Sequence, residues 1–185
     1  LLVFANLFFF LGIVSLPIAE CTAIFFIAPL LITMFSSLIL KEKIRARRIS
    51  ALIIGFFGVL IIIKPGQISF QWITLLPLSA AICYAGLHTM TRQMGLSEKA
   101  STLSFYIQLS FIIVSLLMGL TLGGGQLSGY ENPSMEFLVK AWSWPLKSHW
   151  LAIFGIGIAS SIGGYLISQA YRISEAGLVA PFEYT

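Results

Sequence analysis

The chain has 185 residues, 58% of them hydrophobic and only 10% charged, with a net charge of +4 and a mean hydropathy of +0.94. A soluble domain carries about 25% charged residues, so this composition excludes an ordinary soluble globular protein. The positive surplus has to be read from its placement between apolar runs, and it does not mark a nucleic-acid binder.

Charge-free runs follow one another along the chain: 1–19, 21–40, 49–63, 65–91, 100–130 and 148–171. A helix needs roughly 20 apolar residues to cross a hydrocarbon core of about 30 Å, and most of these runs suffice. The 49–63 run is short, but Arg48 and Lys64 flank it and can reach the interfaces with their charged ends. The first run has no basic stretch before it and no convincing cleavage site, so a signal peptide is not expected there. With a span under way at Leu1 and another begun at the far end, the chain reads as an internal piece of a longer protein. Cys21 and Cys83 fall inside apolar runs and are expected to be packing thiols.

Cutting at polar and Gly/Pro-rich positions predicts seven segments, at about 1–16, 20–40, 49–63, 71–91, 101–124, 149–171 and 176 onward. Short connections favour adjacent antiparallel helices. The exception is 125–148, long enough to lie on the membrane surface, with Trp142, Trp144 and Trp150 clustered near it as at headgroup level.

Alternate connections carry five Lys/Arg at 41–48, two at 92–99 and one at Arg172, against only Lys64, Lys140 and Lys147 on the other side. The first set is expected to be cytoplasmic. The basic run "KEKIRARR" reads as a topology determinant that meets anionic headgroups, with Glu42 a local partner for its arginines. Small residues at Ala51, Gly55 and Gly58, and at Gly157, Ser161, Gly164 and Ser168, suit close helix packing or the flank of a substrate path.

The second and seventh segments begin alike: "AECTAIFFIAP" at 19–29 and "SEAGLVAP" at 174–181. They lie five spans apart, so they enter the membrane from opposite faces. Similar elements in opposite orientation, with interruptions near the midplane, are the signature of an inverted-repeat transporter. At 1.5 Å per residue, Pro29 and Glu183 each penetrate about 12–13 Å from their own face, close to half of a hydrocarbon core of about 30 Å. Pro29 and Pro181 each leave a carbonyl in need of another partner.

The stretches 16–66 ("LPIAECTAIFFIAPLLITMFSSLILKEKIRARRISALIIGFFGVLIIIKPG") and 150–185, which holds the Ala-Pro-Phe-Glu-Tyr run, resemble the EamA-type members of the drug/metabolite transporter superfamily. The resemblance implies an all-α polytopic membrane protein of ten helices in two inverted five-helix repeats, about seven of them wholly or partly present here. Residues 1–66 would be the later part of the first repeat, helices three to five. Residues 67–185 would be an incomplete second repeat, helices six to eight and the start of nine. Glu42 matches the acidic residue that ends the family's fourth helix, while Lys41 stands where a glycine is usual.

Glu183 is the leading candidate for substrate handling or coupling, because an ionisable group near the midplane is costly unless it has partners or water. The other reading is a protonated carboxyl locking two helices. Pro181 and Pro29 join it as helix interruptions. Thr33 belongs to a stripe with Thr22, Phe26 and Ser36; Gln108 belongs to one with Ser101, Ser104 and Ser115. Such stripes line a cavity or bond a neighbouring helix. His88 follows Tyr84 by one turn and precedes Arg92 by another, towards the cytoplasmic end, as an interfacial histidine or a proton relay. Tyr165, Gln169 and Tyr184 complete the candidate set.

The chain has no aspartate, no H-E-x-x-H and no G-x-S-x-G, and neither a cofactor nor a metal is called for. The expected function is a secondary transporter, not an enzyme. It would move a small organic metabolite or drug-like solute across the cytoplasmic membrane by alternating access, with proton or antiport coupling. A membrane scaffold protein is the alternative, and an intramembrane enzyme the third reading. Expected partners are a small-molecule substrate and membrane lipid, not nucleic acid, with homodimerisation left open.

Overall fold

The computed structural model describes residues 1–63, 72–95, 97–125 and 129–184. Among these the regular structure is entirely helical: α1 (Leu2–Ser15), α2 (Ile18–Phe25), α3 (Ala28–Ile39), α4 (Ala46–Ile63), α5 (Leu75–Met94), α6 (Ala100–Leu122), α7 (Pro133–Val139), α8 (Trp150–Ile173) and α9 (Ala176–Val179). Single turns of 3-10 helix at Trp72–Thr74 and Lys147–His149 lead into α5 and α8, and a third, Ala180–Tyr184, follows α9. Lys64, the 66/67 boundary between the expected repeats, and Thr185 lie outside the described residues.

Among the described residues four stretches are long and apolar enough to cross a membrane: Ile18–Ile39, Trp72–Met94, Ala100–Leu122 and Lys147–Ile173. The protein is a multi-pass membrane protein. α6 and α8 present wide apolar faces outward, as at Leu120 (84% exposed) and Leu151 (83%), which lipid tolerates and water does not.

α5 is the hub, packed against α1, α2, α3 and α8. Its Ala80, Ala81 and Ala85 are wholly buried, because a methyl side chain lets neighbouring backbones approach closely. Gly95, at the end of α5, carries this furthest. A Cβ there would lie 2.8 Å from Cγ and 2.9 Å from Cα of Arg172. The core cluster of Ile32, Leu52, Ala85, Tyr171, Ala176 and Ala180 joins α3, α4, α5, α8 and α9.

The second expected segment is one span broken in two. Pro29 has no N–H to give the Phe25 carbonyl, and the chain tightens there, with the Ile27 amide bonding the Ile24 carbonyl at 3.2 Å. α3 then restarts with Pro29 in its first turn.

The loop between α6 and α8 folds back into the bundle. Asn132 caps α7 by accepting from the amides of Ser134 (3.0 Å) and Met135 (3.4 Å). The Ser134 hydroxyl donates to the Leu11 carbonyl at 2.8 Å and lies 2.5 Å from the Ser15 hydroxyl. α7 is thereby seated on the end of α1. The Trp142 amide donates to the Gly123 carbonyl at 3.0 Å, and its ring lies against Gly119. Trp144, 89% exposed, extends outward from the same end.

At the opposite end the three basic connections meet. The Arg92 guanidinium donates to Glu42 Oε1 at 3.1 Å and to the Arg172 carbonyl at 2.9 Å. Arg172 in turn donates to the Glu98 carbonyl at 2.7 Å, and Arg48 pairs with Glu175. A hydrogen bond from Arg48, together with that cation's charge, holds the Glu175 carboxyl below the usual carboxylate range. Glu42 is therefore not a local partner of the arginines beside it, as its run suggests. Its partner stands fifty residues further on.

The reason is a reversal at Lys41, which has φ +56° and lets the Glu42 amide fold back to the Ser36 carbonyl at 3.3 Å. Left-handed backbone is costly for a side chain with a Cβ, and a glycine is the natural occupant of this position after a helix. Lys41→Gly is expected to stabilise the full-length protein by about 0.5–1 kcal/mol, net of the glycine's larger unfolded-state entropy. A lower detergent melting temperature in the variant would contradict it.

Candidate functional site

Two features share the middle of the bundle. The first is a crossing. The 3-10 turn after α9 runs against the break between α2 and α3, and the Tyr184 hydroxyl donates to the Phe26 carbonyl at 2.9 Å. A carbonyl at an interrupted helix is thus satisfied by a side chain from the other interrupted segment. The Tyr184 ring occupies the space a Cβ on Gly55 would need, 2.7 Å from that position, so the small residue in α4 serves this contact. Pro29 is buried, and Thr33 is turned inward along α3, donating to the Pro29 carbonyl at 3.0 Å. Pro181 stands half-buried beside the wholly buried Ala180.

Glu183 is in this crossing. Its Oε1 accepts from the Tyr171 hydroxyl at 2.5 Å, with the Tyr84 hydroxyl at a longer 3.5 Å. Both tyrosines come from other helices, α8 and α5, so the carboxyl joins three elements. A carboxylate inside a span needs such donors.

The second feature is a cavity of about 360 Å³, walled by residues of α1, α5, α6 and α8. Its polar lining includes Asn6, Tyr84, His88, Ser104 and Gln108. The crossing and the cavity meet at Tyr84. His88 is held between two tyrosine rings, Tyr84 at 4.3 Å and Tyr171 at 4.2 Å between centroids. It is 4% exposed, so it is an interior residue rather than one bonded at the interface.

The candidates read from sequence therefore separate into groups. Glu183, Pro181, Pro29, Thr33 and Tyr184 gather at the crossing, and His88 and Gln108 reach the cavity. Tyr165 is 43% exposed, and neither it nor Gln169 lines the cavity. Asn6, Tyr84, Thr91, Ser160 and Tyr171 were not singled out. Tyr84, His88 and Thr91 share one helical face at spacings of four and three, which was a readable signal. Asn6 is the only polar side chain of α1 before Ser15. Tyr171 had no such signal, since its role comes from a contact with a residue twelve positions away on another element.

Residues 1–64 match the model of the EamA-like transporter family. A riboflavin transporter of Vibrio cholerae is 28% identical over 168 residues, covering 91% of this chain and 50% of that protein. An uncharacterized transporter of Helicobacter pylori is 30% identical over 181 residues, covering 98% and 57%. Over residues 1–64 the chain is similar to the EamA-like transporter family. A solved structure with 18% identity superposes on 97% of this chain and 58% of its own, with a TM-score of 0.76, and shows the same fold. The chain spans about half the length of the relatives it matches. Those relatives are named as transporters, in agreement with the reading that this is not an enzyme.

Proposed function

We propose that the protein carrying this chain is a secondary transporter that moves a small organic solute across the cytoplasmic membrane by alternating access. The observation that carries this reading is the polar cavity inside an otherwise apolar bundle, bordered at Tyr84 by the hydrogen-bonded carboxyl of Glu183. Polar lining at that depth is expensive in lipid and is explained by a solute path. The division into repeats at 1–66 and 67–185 belongs to the same reading. It is supported by two interrupted segments that run in from opposite faces and meet through Tyr184 and Phe26. Glu183 serves as the coupling carboxyl, and the end that gathers Arg48, Arg92 and Arg172 faces the cytoplasm.

Riboflavin, which a relative is named for, is the first solute to offer. The full-length protein in proteoliposomes should accumulate it or exchange it faster than protein-free vesicles do, with a dependence on an imposed proton or solute gradient. In cells, a cysteine at Arg45 should be shielded from an impermeant thiol reagent and one at Ser143 labelled. A protein that carries neither riboflavin nor any member of a metabolite panel is a scaffold, and this proposal then fails.

A further inference from the structure

A buried polar atom without a hydrogen bond is costly, and each such atom calls for an explanation. His88 has two: among the described residues neither Nδ1 nor Nε2 has a partner. The Tyr84 ring meets it in a T-shaped contact at 4.3 Å and the Tyr171 ring lies tilted against it at 4.2 Å, ring contacts that leave its nitrogens unbonded, and His88 lines the cavity. Ser104, on α6, lines the same cavity, and its buried Oγ also has no partner among the described residues. Two helices thus bring unsatisfied polar atoms to one space.

The rest of the wall narrows what can fill it. Among the described residues no Lys, Arg or Glu side chain lines the cavity, so an ion seated there would meet no opposite charge in the wall itself, and burying an unpaired charge is far costlier than burying a neutral polar group. Tyr84, His88 and Phe111 bring aromatic surface to it, which suits a flat ring. A volume of about 360 Å³ lies at the small end of ligand sites.

We propose that His88 and Ser104 are the hydrogen-bonding contacts of the transported solute, and that this solute is an uncharged, ring-bearing molecule with donors and acceptors on its edge. A neutral imidazole offers one donor and one acceptor, and a serine hydroxyl can act as either. The solute must match both kinds. The assignment rests on the transporter reading above and adds to it which atoms select the cargo.

The test is a binding titration, separate from transport. Full-length protein in nanodiscs is titrated with riboflavin and, in parallel, with riboflavin 5′-phosphate, following flavin fluorescence. Riboflavin is uncharged and edge-bonding; its 5′-phosphate keeps the same ring edge and carries an anionic phosphate in place of the terminal hydroxyl. Wild type should bind riboflavin at least about tenfold more tightly than the phosphate, because no cation in the wall compensates the anion. His88→Phe keeps a ring between the tyrosines and removes both nitrogens, and should raise the riboflavin Kd about tenfold. Ser104→Ala, a smaller change with little risk to folding, should raise it about three- to tenfold. Wild-type Kd in both variants, equal affinity for the two flavins, or no saturable riboflavin binding would each overturn the proposal. Riboflavin that binds with the expected losses but is never carried across would overturn the transporter reading instead and leave these contacts standing.

Discussion

Glu183→Gln should fold normally yet lose the pH dependence of net transport, while Glu183→Ala should lose both transport and stability. The two substitutions separate a coupling role from a structural one. Glutamine keeps the shape and an acceptor for the Tyr171 hydroxyl, which stands at 2.5 Å from the carboxyl, but it carries no titratable proton. Alanine also removes the acceptor. Tyr171 is completely buried, so its hydroxyl would be left unsatisfied, at a cost of about 1–3 kcal/mol. The measurements are uptake into proteoliposomes across a range of imposed pH gradients and melting in detergent. If Glu183 only locks α8 and α5 to the turn after α9, the Gln variant should transport like wild type with unchanged pH dependence. That result would end the coupling proposal.

The second large effect is expected at the basic end. Arg92→Met keeps the aliphatic stem but removes the guanidinium that reaches Glu42 at 3.1 Å and the Arg172 carbonyl at 2.9 Å. The Glu42 side chain is only 12% exposed, and its Oε2 is already buried without a partner among the described residues. Losing Arg92 would leave a largely buried carboxylate unpaired, at a cost of about 2–4 kcal/mol. Glu42→Gln in the same background should recover part of that loss by removing the uncompensated charge. A double-mutant cycle on detergent melting temperatures reads this coupling directly. Additive losses from the two substitutions would show that the pair is a surface contact with no structural weight.

The sequence alone determined the class of the protein, because membrane-spanning length and charge placement are properties of a single stretch of chain. The seven expected segments correspond to α1, the α2–α3 span, α4, α5, α6, α8 and the start at α9. The gathering of residues 41–48, 92–99 and 172 at one end follows from alternation alone. The interruption at Pro29 was legible because a missing N–H is a local fact, whatever the helix packs against. The oddity at Lys41 was visible as a residue out of place, and its φ of +56° supplies the reason.

Tertiary structure decided what these residues touch. Periodicity places Tyr84 and His88 on one face of α5, but not which helix that face meets. Wholly buried alanines at 80, 81 and 85 set how closely the neighbours approach, and that approach puts Tyr171 against His88 and its hydroxyl on Glu183. The partner of Glu42 was out of reach of a local reading for the same reason. The backbone reversal at Lys41 turns its carboxyl toward α5, away from the neighbouring arginines. A side chain's place on its own helix follows from residue spacing, whereas its partner depends on how that helix is rotated and how closely it packs. Those are set jointly by several distant segments, so the pairings of Glu42, Glu183 and His88 appear only in the folded bundle.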